Sequence, residues 1–157
     1  MNIIKKPSEC TKKQLNDFYL LMVESGEVSL SGLKERIKDA HLLAFNYEDD
    51  NLTSIAALKN PSGTYRWKIT TEANFPLDKK TYPYELGWIF TNKDYRNQRK
   101  SQSLLTDLRK KVNTKLFATV KESNGASIHL LKKFGFNIEG NKYKSMNGKD
   151  YILLMIT

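Results

Sequence analysis

The stretch ELGWIFTNKDYRNQRKSQSLLTDLRKKV, residues 85–112, decides the fold of this chain. Its first six residues are mostly large and apolar, which predicts a buried or half-buried strand. Apolar residues then recur at helical spacing, which predicts a helix with one face on the sheet. The residues of that face are Leu104, Leu105, Leu108 and Val112. The stretch therefore predicts a strand, a turn and a helix in succession.

Three cations lie in the turn of this unit: Arg96, Arg99 and Lys100. A strand-to-helix turn aims unpaired backbone amides and the positive end of the helix dipole in the same direction. The turn therefore predicts a phosphate-binding site. The alternative is a solvated basic loop.

Length and composition indicate one domain, residues 1–157, because 39% hydrophobic residues in a chain of 157 suffice for one core. One cysteine, Cys10, and two histidines form no metal-ligand pattern, so we expect no metal site. The first residues lack the apolar core of a signal peptide, and no apolar run reaches membrane-spanning length. We expect a cytoplasmic protein without a membrane partner.

The net charge of +9 and the pI near 9.5 favour an anionic ligand, an acidic partner or nucleic acid. A solvated lysine surface would give the same charge. A basic protein that modifies or binds nucleic acid therefore stays open as a function class.

The first half of the chain predicts a short strand, two helices and a hairpin. The strand is Asn2 to Lys5. Thr11 and Gln14 form a capping box for the first helix, and Gly26 ends it. Ser29 and Ser31 are candidate caps for the second helix. Two strand-like runs, 42–47 and 52–58, flank a polar turn and predict an antiparallel pair.

The second half predicts further strands around one helix. Tyr65 to Ile69 is interpreted as a short strand in a segment interrupted by prolines. Strands are expected at 115–120, 136–143 and 151–156, with a helix at 124–134 that Gly135 closes. The element order predicts an α/β (α+β) domain whose mixed, mostly antiparallel twisted sheet is flanked by helices.

Two stretches resemble the GNAT family, the GCN5-related N-acetyltransferases. NGASIHLLKKFGF, residues 124–136, is similar to the family pattern Asn-x-x-Ala-x-x-Leu-Tyr-x-Lys-x-Gly-Phe. DYRNQRKSQSLL is similar to the turn Arg/Gln-x-x-Gly-x-Gly/Ala, with Arg96 at its opening position. Arg99 and Ser101 stand at its glycine positions, and Leu131 stands where the family's tyrosine protonates the departing thiolate.

The resemblance implies an acetyl-CoA-dependent N-acetyltransferase in which an amine attacks the thioester directly. Backbone groups of β-strand residues would contact the acetyl and pantetheine arm, and turn amides would hold the pyrophosphate. The residues implied in cofactor binding are Ile89, Thr91, Arg96, Asn97, Gln98, Arg99, Lys100, Ser101, Asn124 and Lys133. Asn124 would either contact the cofactor or cap its helix, and both roles are compatible.

Glu85 is the candidate catalytic base, because a protonated amine must lose a proton before it attacks a thioester. The resemblance supports this role, since some family members use a glutamate at this offset before the turn. The alternative is a surface glutamate paired with lysines. Gly87 would mark a bulge or a close backbone approach, and the resemblance implies a splayed strand whose free groups pair with pantetheine. Tyr143 or water would protonate the thiolate in place of Leu131.

Three function classes remain open: an active N-acetyltransferase, a weak or inactive acyl-CoA-binding protein of the same fold, and a nucleic-acid-directed protein. The departures at Arg99, Ser101 and Leu131 motivate the second class. The acceptor is a small-molecule or protein amine that the sequence does not identify. The oligomeric state also stays open, a homodimer included.

Overall fold

Seven strands and five helices make up the chain, and a computed structural model describes all residues from 1 to 157. The strands are β1 (Asn2–Lys5), β2 (Leu42–Glu48), β3 (Asn51–Lys59), β4 (Tyr84–Thr91), β5 (Leu116–Lys121), β6 (Asn137–Lys144) and β7 (Tyr151–Ile156). The helices are α1 (Lys12–Ser25), α2 (Leu33–Lys38), α3 (Gly63–Ala73), α4 (Lys100–Arg109) and α5 (Gly125–Lys133).

The strands form one open sheet in the order β1-β2-β3-β4-β5-β7-β6. The pairs β1-β2, β2-β3, β5-β7 and β6-β7 are antiparallel. Strand β4 pairs with β5 in parallel, over only Tyr84 with Leu116 and Glu85 with Phe117. The predicted mixed, mostly antiparallel sheet flanked by helices is confirmed.

Two compact units divide the chain, and each has its own apolar core. One comprises Met1–Asn60 and Leu86–Asn113, and the other comprises Pro61–Glu85 and Thr114–Thr157. The core residues of the first unit include Phe18, Leu33, Leu43, Phe45 and Ile55. Those of the second unit include Ile69, Leu77, Tyr82, Phe117 and Leu154.

Helix α1 begins and ends as its sequence predicts. The Thr11 side chain accepts from the amide of Gln14 at 3.0 Å, and the Gln14 side chain accepts from the amide of Thr11 at 2.9 Å. Gly26 ends the helix in the left-handed conformation, with φ 66°. The capping serines predicted for α2 are wrong, because Gly32 precedes that helix with φ 67° and no side chain caps it.

Helix α3 replaces the strand predicted at Tyr65 to Ile69. Ser62 caps the helix by accepting from the amide of Tyr65 at 3.2 Å, and Asn74 ends it in the left-handed conformation. Ile69 is buried on the inner face together with Ala73. Aromatic and β-branched residues favoured a strand locally, but this capped helix with one buried face is the arrangement that packs.

Gly140 allows the end of α3 to contact strand β6. The strand is bulged here, since its register with β7 shifts between Glu139 and Tyr143. Gly140 has φ +68°, and a Cβ atom at this position would lie 2.3 Å from the carbonyl oxygen of Ala73. Both the conformation and the close approach therefore require glycine.

We predict that Gly140→Ala lowers the free energy of unfolding by about 2–4 kcal/mol, because the methyl group meets backbone and the residue is left-handed. Gly135→Ala is the matched control, since Gly135 has φ +85° but nothing within 4 Å of its added Cβ. Its loss should be only about 1 kcal/mol. Urea unfolding of both variants measures the difference, and equal losses would contradict the steric argument.

Candidate functional site

Glu85 lies in the second unit near the start of β4, and its side chain is 2% exposed. It is therefore not the surface glutamate of the alternative interpretation. The hydroxyl of Tyr65 donates to its Oε2 at 2.9 Å, and the hydroxyl of Thr119 donates to the same oxygen at 3.2 Å. The two hydroxyl oxygens are 3.4 Å apart. A buried carboxylate thus has hydrogen-bonded partners from α3 and from β5.

Arg66, next to Tyr65, holds the segment between α3 and β4. Its guanidinium donates to the carbonyls of Leu77 at 3.1 Å, Tyr82 at 2.8 Å and Pro83 at 3.3 Å. Burial lowers the pKa of Arg66, and the charges of Asp78 and Glu85 oppose that shift. The segment leading into Glu85 is therefore fixed by a buried cation that the sequence analysis did not identify.

The tyrosine of the family motif is absent at Leu131 of α5, and Tyr143 of β6 is the residue predicted to replace it. Leu131 is 2% exposed and belongs to the core, so no hydroxyl is available at that position. Burial first, and then the charge of Glu85, raise the pKa of Tyr143. The phenol therefore keeps its proton near neutral pH, and its role as proton donor to the thiolate stays a prediction.

The left-handed residue of strand β4 is Trp88, which follows Gly87. Trp88 has φ 51°, an uncommon conformation for a large residue in a strand, and its ring packs against Phe18 at 6.1 Å between centroids. Gly87 has no left-handed φ; its added Cβ would meet the flexible end of Lys59 at 2.9 Å. The irregular backbone conformation therefore lies directly before Ile89, within the first unit.

Hydroxyl groups tie the end of β4 to the start of α4. The Thr91 hydroxyl lies 2.8 Å from that of Ser101 and 2.9 Å from that of Ser54. Ser54 also donates to the carbonyl of Phe90 at 3.1 Å. Ser101, at a glycine position of the family motif, thus closes the base of the turn.

The turn between β4 and α4 presents a row of unpaired backbone amides. Within the chain, the amide groups of residues 97–101 donate no hydrogen bond, and the first bond of α4 runs from Ser103 to the carbonyl of Arg99. Asn97 and Arg99 are left-handed, with φ 62° and φ 56°. Such alternation turns successive amides toward one side, which creates an anion-binding concavity.

The three cations of this turn have different surroundings. The guanidinium of Arg96 lies over the ring of Phe90, 5.8 Å from its centroid, and Nε donates to the carbonyl of Thr91 at 3.4 Å. The ammonium of Lys100 pairs with Glu48 at 2.6 Å. Gln98 and Arg99 are exposed. Arg96 and Lys100 are therefore engaged within the chain, whereas the backbone amides of the turn are not.

Asn124 and Lys133 lie at opposite ends of α5 in the second unit. The Asn124 side chain caps the helix by accepting from the amide of Ser127 at 3.1 Å. Lys133 is exposed in the last turn. The capping role predicted for Asn124 is confirmed, while its cofactor contact and that of Lys133 stay predictions.

The sequence matches the model of the acetyltransferase (GNAT) family over residues 16–136. None of the curated proteins matches this sequence. The structure contains no group of three or more His, Cys, Asp or Glu side chains that could hold a metal ion. None of its helices has the length and apolar character needed to cross a membrane.

Several solved structures share the fold at low identity. An acyl-CoA N-acyltransferase from Pseudomonas aeruginosa has a TM-score of 0.68 and 13% identity, with 99% of this chain and 97% of that chain covered. The ribosomal-protein-S18-alanine N-acetyltransferase from Escherichia coli has a TM-score of 0.66 and 20% identity, with 99% and 92% covered. An aminoglycoside 6'-N-acetyltransferase complexed with coenzyme A has a TM-score of 0.68 and 14% identity, with 99% and 96% covered.

We predict that Arg99→Gly raises the free energy of unfolding by about 0.5–1 kcal/mol, because glycine adopts the left-handed conformation without steric cost. Gln98→Gly is the control, since Gln98 does not have a positive φ. It should lose about 0.5 kcal/mol through chain entropy. Urea unfolding measures the free energies of both variants. A loss of stability in Arg99→Gly would contradict the argument that the backbone is strained at this position.

Proposed function

The chain belongs to the GNAT family of acetyltransferases, and from this membership we propose that it transfers an acetyl group from acetyl-CoA to a primary amine. The observation that supports the proposal most directly is the row of unpaired amides at residues 97–101. These amides fit a pyrophosphate, because they form hydrogen bonds that do not depend on residue type. The absence of both motif glycines therefore does not remove the site.

The proposed cofactor contacts divide between the units. In the first unit, backbone groups of Ile89 and Thr91 would bind the acetyl and pantetheine arm. The turn from Arg96 to Ser101, with Asn97, Gln98, Arg99 and Lys100, would bind the pyrophosphate. In the second unit, Asn124 would contact the arm and Lys133 a phosphate. We propose that both units form one acyltransferase domain, residues 1–157.

Glu85 is the proposed base of the reaction. Acetyl-CoA supplies the acetyl group as a thioester. The amine loses a proton to Glu85 through a water molecule, since the carboxylate is only 2% exposed. Its nitrogen then forms a C–N bond with the carbonyl carbon, the C–S bond breaks, and sulfur leaves with the electron pair. The nitrogen gives up a second proton to solvent, the thiolate takes up one proton, and Glu85 releases its proton to solvent before the next turnover.

Tyr143 is the proposed donor of the proton that the thiolate takes up. Its raised pKa keeps the phenol protonated near neutral pH. Tyr143 would then recover a proton from solvent before the next turnover. This assignment replaces the tyrosine that the family motif has at the position of Leu131.

A second candidate function is acyl-CoA binding without efficient transfer. The buried Leu131 favours it, because the hydroxyl expected at that position is absent. The proposed acceptor is a small-molecule or protein amine, and the proposed location is the cytoplasm.

We expect acetyl-CoA to bind the intact chain in calorimetry. Asn124→Ala should weaken binding more than Asn124→Ser, because serine keeps the helix cap that alanine removes. Any loss that both variants share reports the contact of the Asn124 amide with the cofactor. A chain that does not bind acetyl-CoA would contradict both candidate functions.

Glu85→Gln should lower kcat at least tenfold with little change in acetyl-CoA affinity, because the amide cannot accept the amine proton. Steady-state acetylation of a panel of amines, including peptide N-termini, lysines and aminoglycosides, measures this effect. Tight acetyl-CoA binding without transfer to any amine would favour the second candidate function. Transfer at an unchanged rate would remove Glu85 from the mechanism.

A further inference from the structure

The connection between β3 and β4 brings a hydroxyl group to Glu85. It spans residues 60–83 and contains α3. Tyr65 lies in the first turn of α3, and its hydroxyl donates to Oε2 of Glu85 at 2.9 Å.

The direction of this hydrogen bond follows from the surroundings of Tyr65. Burial first, and then the charge of Glu85, raise the pKa of Tyr65 well above its ordinary value. The phenol is therefore protonated, and its O–H group donates to the carboxylate. Hydrogen bonds to a charged acceptor are the stronger class, and here the acceptor is buried and the donor is half-buried.

Tyr65 is held in place on both sides. Ser62 caps the turn in which Tyr65 lies, and the neighbouring Arg66 binds the carbonyls of Leu77, Tyr82 and Pro83. The ring of Tyr65 packs against the second apolar core. The apolar surroundings would accept a phenylalanine, so the hydroxyl serves the carboxylate rather than the packing.

We propose that Tyr65 is a positioning residue that orients the carboxylate of Glu85 as a proton acceptor, with Thr119 as the second donor. The inference rests on the proposed function, because it assigns Glu85 as the base. Tyr65 does not itself contact the reacting atoms. Its role is to hold one orientation of the residue that does.

Other charged and titratable groups also face Glu85 and must stay unchanged in a test. They are Arg66 from α3 and Tyr143 from β6. Tyr65→Phe leaves both in place and removes one hydroxyl. Tyr82→Phe is the matched control, because Tyr82 is buried in the same core and its hydroxyl makes no hydrogen bond to Glu85.

The decisive experiment is carbon-13 NMR of chains labelled at the glutamate carboxyl carbons, with Glu85 identified by its loss in Glu85→Gln. In Tyr65→Phe at neutral pH, we expect the carboxyl resonance of Glu85 to move away from its wild-type position, because the carboxylate loses one hydrogen bond. A chain with 3-fluorotyrosine at position 65 keeps the ring, and its more acidic hydroxyl is a stronger donor that should move the resonance in the opposite direction. Tyr82→Phe should leave the resonance at its wild-type position.

A Glu85 resonance at the wild-type position in both chains altered at position 65 would overturn the inference. With an active acceptor, Tyr65→Phe should also lower kcat about tenfold and leave the KM for acetyl-CoA unchanged. A shifted resonance in a chain that acetylates no amine would support the role of Tyr65 while removing the proposed function. An unshifted resonance in an active enzyme would remove the role of Tyr65 alone.

Discussion

A buried carboxylate is stable only when its charge is compensated, and Glu85 imposes this constraint on the second unit. Its carboxylate accepts from Tyr65 and Thr119 and lies in the field of Arg66. These partners come from a helix and a strand that are far apart in sequence from Glu85. A buried charge without such partners costs several kcal/mol. A glutamate at the second position of β4 is therefore stable only because α3 and β5 pack beside it and supply these partners.

The same strand connects this compensated charge with the proposed anion site of the first unit. Along β4 the chain passes from Glu85 through the left-handed Trp88 to Thr91, whose hydroxyl closes the turn against Ser101. The turn then uses Asn97 and Arg99 in conformations that glycine adopts more easily. The two left-handed residues therefore lie in the turn where an anion would be bound. Backbone strain of this kind is typical of functional turns.

Most patterns that depend on near neighbours were predicted correctly, although the serine caps expected for α2 were wrong. The capping box of Thr11 and Gln14, the hairpin of β2 and β3, and the left-handed Gly135 after α5 each need only a few adjacent residues. The predictions failed where distant residues decide. Helix α3 looks like a strand locally because of its aromatic and β-branched residues, and its buried Arg66 can be understood only from carbonyls up to Pro83.

The sequence by itself determined the family, the mixed sheet and the positions of the turn and of Glu85, because periodicity, caps and motif spacing are properties of contiguous residues. Only the tertiary structure decided that Glu85 is buried, that Tyr65 and Thr119 donate to it, and that residues 97–101 leave their amides unpaired. Burial and hydrogen bonding depend on which distant segments the fold brings together, and no local pattern specifies that.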